Sequence, residues 1–124
     1  MITLVFANQK GGVGKSAIAT QLAYYLADQL KKRVLFIDMD HQKNASKAIA
    51  KSGMAMVSKV TSSMIMASAT PGVEDGDFVL VAADEVELLN MERQAAEHNR
   101  FASNFRGFIQ AVDNHFDVCI VDTN

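Results

Sequence analysis

Lys10-Gly11-Gly12-Val13-Gly14-Lys15-Ser16 decides how this chain is read. The apolar run Ile2 to Ala7 stands ahead of it, and a pattern of helical period follows. A strand that breaks at a glycine cluster and restarts as a helix is the setting of a phosphate-binding loop. Glycines let the backbone turn tightly and aim successive N–H groups at phosphate oxygens. The helix N-terminus adds partial positive charge. On this reading the backbone of Gly11, Gly12, Val13, Gly14, Lys15, Ser16 and Ala17 cradles a nucleotide's phosphates. Lys15 reaches the β- and γ-phosphates, and the Ser16 hydroxyl takes Mg²⁺.

Outward from the loop, Ile18, Leu22, Leu26 and Leu30 recur with Ala19, Ala23 and Ala27 beside them, which predicts one apolar helical stripe. It closes at Lys31, Lys32 and Arg33, where cations suit a helix C-terminus. Val34 to Ile37 reads as a second strand, ending in Asp38. A short helix is predicted over 43–51, a strand over 78–82, a helix over 85–93 and a longer one to about Asn114. Phe101, Phe105, Phe108, Ile109 and Val112 share a face of the last. Phe116 to Val121 is the fourth strand, again followed by an aspartate, Asp122. Strands apolar on both faces, Ile2 to Ala7 included, belong in a parallel sheet covered by helices. The class is α/β, a three-layer P-loop fold with a mainly parallel sheet. The stretch from Gly53 to Gly76, rich in Met, Ser and Thr, mixes helix and loop signals. Its methionines suit core filling or a partly ordered segment more than an adaptable partner surface.

Asp38-Met39-Asp40-His41-Gln42-Lys43-Asn44-Ala45-Ser46 sits at the end of the second strand, the edge where open α/β sheets bind ligands. Two carboxylates at i and i+2 leave a strand end pointing the same way. One can support a Mg²⁺ shell or the phosphate-binding loop while the other orients water. An Asp-x-Asp pair alone is more often a helix N-cap cluster. The hydrophobic strand that ends at Asp122 has the form that holds Mg²⁺ through water in nucleotide hydrolases.

The glycine loop departs from the common Walker pattern, because Gln9 occupies the first glycine position and an added lysine, Lys10, precedes the glycine pair. Asn8-Gln9-Lys10-Gly11-Gly12-Val13-Gly14-Lys15-Ser16 resembles the deviant Walker A box of the ParA/MinD ATPases, and within them the ParA-like partition proteins. The resemblance implies that Lys10 crosses a dimer interface to the partner's ATP, so that Lys10 and Lys15 both act catalytically. It implies Asp40 as the residue positioning the attacking water. Ser16, Asp38 and Asp122 then serve the metal. His41 and Lys43 replace the family's proline and glycine, which predicts altered loop stiffness with the aspartates in place. The residues from 84 to 89, Asp-Glu-Val-Glu-Leu-Leu, are also similar, loosely. The resemblance covers residues 1–124 as one partial domain, the front part of the family domain. It implies an ATP-dependent homodimer, non-specific DNA binding, a centromere-binding partner protein and a cytoplasmic, nucleoid-associated location. An end after Asp122 predicts an uncovered sheet edge.

Composition bounds these readings. The chain has 124 residues and a net charge of −2, so no global basic field advertises nucleic-acid binding. Cys119 is the single cysteine and lies in an apolar run, which excludes a disulfide framework and gives no zinc or iron–sulfur spacing. No apolar run approaches the ~20 residues of a membrane helix, and the N-terminus lacks the signal-peptide pattern. His98 and His115 have no ligand-spaced partners in sequence. Two alternatives remain open: a metabolic ligase-type P-loop enzyme, and a non-catalytic nucleotide-binding or oligomerisation fragment.

Overall fold

A computed structural model describes residues 1–7, 14–68 and 72–123. The elements run β1 (Ile2–Phe6), α1 (Lys15–Tyr24, extended by a π-helical turn Tyr25–Gln29), β2 (Val34–Asp38) and α2 (Asn44–Ser52). Then come β3 (Met56–Thr61), α3 (Ser62–Ala67), β4 (Phe78–Ala82), α4 (Glu85–Glu92), α5 (His98–Ala111) and β5 (Val118–Asp122). The five strands form one sheet in the order β1-β5-β2-β4-β3, and every pairing is parallel.

Alternation along the strands builds the layers. Leu35, Ile37, Val79, Val81, Cys119 and Val121 point to one face, where Ile65, Phe108, Val112 and Phe116 cover them. Val34, Phe36, Phe78, Leu80, Val118 and Ile120 point to the other, against Ala19, Ala23, Ala45 and Ile49. The three central strands are therefore buried on both sides, as their sequence predicts. Burial also pushes the Cys119 thiol up to about 12, so this cysteine is an inert core residue.

Three expectations are corrected. β1 is not buried: Ile2 and Val5 are 64% and 61% exposed. It pairs only with β5 and forms the sheet edge, and an apolar run carries no mark of edge or centre. The α1 stripe is also shifted. Ala19, Thr20 and Ala23 face the sheet, while Ile18 and Leu30 are exposed, because small side chains let the helix approach closely. The Gly53 to Gly76 stretch holds a fifth strand and a helix. Met54, Met56 and Met64 there lie exposed rather than filling the core. No described helix is long and apolar enough to cross a membrane.

Candidate nucleotide-phosphate site

The register of the sheet sets the site. Phe6, Asp122 and Asp38 are aligned across β1, β5 and β2, so two carboxylates stand level at the C-terminal edge. Gly14 opens α1 beneath them with φ +89°, a left-handed conformation that favours glycine. The expected roles of Lys10, Gly11, Gly12 and Val13 lie outside the described residues.

Lys15 and Ser16, in the first turn of α1, converge on Asp122. The Lys15 ammonium pairs with Asp122 Oδ1 and donates to the Thr123 carbonyl. Ser16 Oγ donates to Asp122 Oδ2 at 2.8 Å. Asp122 is fully buried, so its charge is held by these partners rather than by water. Ala17 follows on the helix, exposed. Thr123 is tied down in turn, its N–H and Oγ1 both donating to the Phe6 carbonyl, at 2.9 and 3.0 Å.

Asp38 is also fully buried, and its two oxygens accept from the chain itself. Oδ1 takes the Asp40 N–H at 3.0 Å. Oδ2 takes the Ser46 N–H at 2.9 Å and the Ser46 hydroxyl at 2.6 Å. A carboxylate thus caps the first turn of α2, where the helix dipole favours it. Ser46 Oγ in turn accepts the Ala83 N–H at 2.9 Å, joining this turn to the end of β4. Sequence reading gives Asp38 to the loop and the metal shell; its oxygens also organise the turn that carries Asp40. Ser46 is absent from that reading, although a hydroxyl in the first turn of a helix after an aspartate is a readable signal.

Burial pushes the Asp38 carboxyl above its ordinary value; the hydrogen bonds from Ser46 and Asp40 oppose this, and the nearby Asp122 adds to it. Stability from this group is therefore full below about 3.8, where folded and unfolded forms are both protonated, and is lost as pH rises through the folded value. Asp38→Asn should flatten that fall, because the variant has no proton to lose. It should also cost about 1–3 kcal/mol at neutral pH, since an amide N–H₂ faces the Ser46 N–H. Denaturant melts of both proteins from acid to neutral pH check this; parallel curves would refute it.

Asp40 is nearly buried at 5% exposure. Its Oδ1 accepts the Gln42 N–H at 3.0 Å and its carbonyl accepts the Lys43 N–H at 2.9 Å. The turn ends at Lys43, whose φ of +67° lies in the left-handed region. A lysine is strained at this glycine-type position by about 1–2 kcal/mol. Lys43→Gly should raise unfolding stability by up to about 1 kcal/mol, the strain relief being partly offset by unfolded-chain entropy. A loss of stability in thermal melts would show that the lysine side chain is needed there.

A cavity of about 530 Å³ opens alongside, lined by Met39, Met91, Phe101, Phe105 and Thr123 among others. Among the described site residues only Thr123 reaches it, and its walls are mainly apolar. Among the described residues no cluster of three or more His, Cys, Asp or Glu could hold a metal. Ser16 Oγ and Asp122 Oδ2 are instead a pair of hard oxygen donors, which fits a Mg²⁺ ion that keeps waters and shares a nucleotide's phosphates.

A glycine loop opening a helix, with its lysine and serine set against the aspartate of a neighbouring parallel strand, defines the P-loop class of nucleotide-binding proteins. A family model described as an AAA domain matches residues 1–124. Protein IncC of Escherichia coli is 33% identical over 131 residues, spanning 99% of this chain and 34% of its own length. The virulence plasmid ParA family protein pGP5-D of Chlamydia muridarum is 34% identical over 98% of this chain and 46% of its own length. Among solved structures, a Cyanothece McdA variant in complex with ATP superposes with a TM-score of 0.72, at 25% identity, over 99% of this chain and 48% of that one. The chain belongs to the ParA-like partition ATPases and corresponds to their N-terminal part. It spans between about a third and about half the length of these relatives.

Proposed function

We propose that this chain builds the phosphate-binding part of an ATP-hydrolysing partition switch. The observation that carries this reading is the meeting of Lys15 and Ser16 with Asp122, beside the Asp38–Asp40 turn at the same sheet edge. Lys15 holds the β- and γ-phosphates, with the backbone of Gly11 to Ala17 around them. Ser16 and Asp122 are the residues that would hold Mg²⁺, which when bound neutralises charge developing on the phosphates. Asp38 supports them from behind through the α2 turn. Asp40 orients the attacking water, and Lys10 supplies a second cation from a partner copy.

The relatives extend the reading to plasmid or chromosome segregation. In it ATP drives a homodimer, the dimer binds DNA without base selectivity, and hydrolysis, stimulated by a centromere-binding protein, releases it. The net charge of −2 places DNA affinity in a local patch or an assembled surface, and it should fall steeply with salt. The location is cytoplasmic and nucleoid-associated, within one partial ATPase domain.

Titration calorimetry with ATP and Mg²⁺ on the 124-residue chain tests the core of the proposal. Saturable binding is expected. A folded chain that binds neither ATP nor ADP would confine the reading to a longer parent protein. ATP turnover indifferent to DNA and to any partner would instead favour a small-molecule ligase.

A further inference from the structure

The base of the Asp40 turn is fixed by Asp38, but its tip is held by the two local bonds from Gln42 and Lys43 to Asp40. Such bonds alone leave a tip free to open locally. His41 sits at that tip, where proline would have set φ near −65°. Its side chain is 21% exposed and turns toward α4. There His41 Nδ1 lies 3.5 Å from Glu92 Oε1, at ion-pair distance. Nδ1 is shut off from solvent and has no hydrogen-bond partner among the described residues, so the Glu92 carboxylate is the group it faces. Glu92 is the last residue of α4, an end at which the helix dipole disfavours a carboxylate. An imidazole opposite gives that charge a partner.

We propose that His41 is a positioning residue: through Glu92 it ties the Asp40 turn to the end of α4, replacing by a side-chain contact the stiffness a proline would supply. Its consequence for turnover rests on the role of Asp40 proposed above; the tie itself does not. The contact makes the aim of the Asp40 carboxylate depend on where α4 sits.

A mutant cycle read by amide hydrogen exchange on the nucleotide-free 124-residue chain tests the tie. His41→Ala and Glu92→Gln should each speed exchange of the Gln42 and Lys43 amides about two- to five-fold, the scale of a partly exposed ion pair. The double variant should go no further than either single one. In His41→Pro, adding Glu92→Gln should change nothing. Amides of β2 and β4 report whether a variant has lost its fold rather than its tie. Unchanged Gln42 exchange in Glu92→Gln, or additive effects in the cycle, would overturn the proposal. As a second readout, Glu92→Gln should lower kcat for ATP while leaving KM unchanged. Failure of ATP binding would sink the nucleotide reading and leave the exchange result to decide whether His41 holds the turn.

Discussion

Lys15→Ala is expected to lose ATP binding by about 100-fold or more, roughly 3 kcal/mol of charge-assisted contact to phosphate. The ammonium already stands at the sheet edge, paired with Asp122 and donating to the Thr123 carbonyl. Reaching phosphates exchanges one anionic partner for another and needs no new charge in the site. The alanine variant also strips a fully buried carboxylate of its cation, leaving it the Ser16 hydroxyl at 2.8 Å. Breaking a buried pair this way costs about 3–5 kcal/mol, so lost binding could come from lost folding. Lys15→Gln separates the two. Its amide can still donate to Asp122, so the fold should melt closer to wild type, yet it brings no charge to the phosphates. Calorimetry on both variants, with melting curves alongside, should show weak binding in both and a larger melting shift in alanine. Wild-type affinity in a folded Lys15→Gln would remove Lys15 from the phosphate site.

What was legible in this sequence follows from which forces are local. β2, β4 and β5 were readable because their residues are apolar on both faces, which only a covered parallel strand requires. β3 was hidden because its buried residues include Ser58 while Met56 and Val57 lie exposed beside Lys59, so burial does not follow apolarity along it. It is held from outside its own pattern: Glu74 accepts Ser58 Oγ at 2.7 Å and the Lys59 N–H at 3.1 Å, and Asp84 accepts Thr61 Oγ1 at 2.7 Å. Contacts across such distances in sequence leave no periodic trace. The same holds for Ile2, Val5 and Ile18, whose exposure depends on strand order and on what packs against α1. The meeting of Lys15 and Ser16 with Asp122 was legible because a phosphate-binding loop and a strand ending in aspartate are both patterns carried in local sequence. The Ser46 link between Asp38 and β4 and the His41 contact with Glu92 join separate elements, and only the fold brings them together.

Asp40→Asn is expected to cut ATP turnover by about 100-fold or more while leaving ATP affinity near wild type, the scale of losing a positioned base. Asparagine is the informative change because alanine would remove the turn bond and the proposed water-positioning charge together. Its Oδ1 accepts the Gln42 N–H at 3.0 Å, and an asparagine carbonyl can keep that bond and with it the turn. What asparagine lacks is the negative charge that orients water and draws its proton. Among the described residues only Oδ1 of Asp40 is committed to the turn, so the second oxygen is the one proposed to do this. Single-turnover hydrolysis should therefore separate from binding in Asp40→Asn. Asp40→Ala should add disorder of the turn, visible as faster exchange of the Gln42 amide. If Asp40→Asn hydrolyses ATP within a few-fold of wild type, Asp40 serves only as the turn former, and the water-positioning group has to be sought on another element facing the same sheet edge.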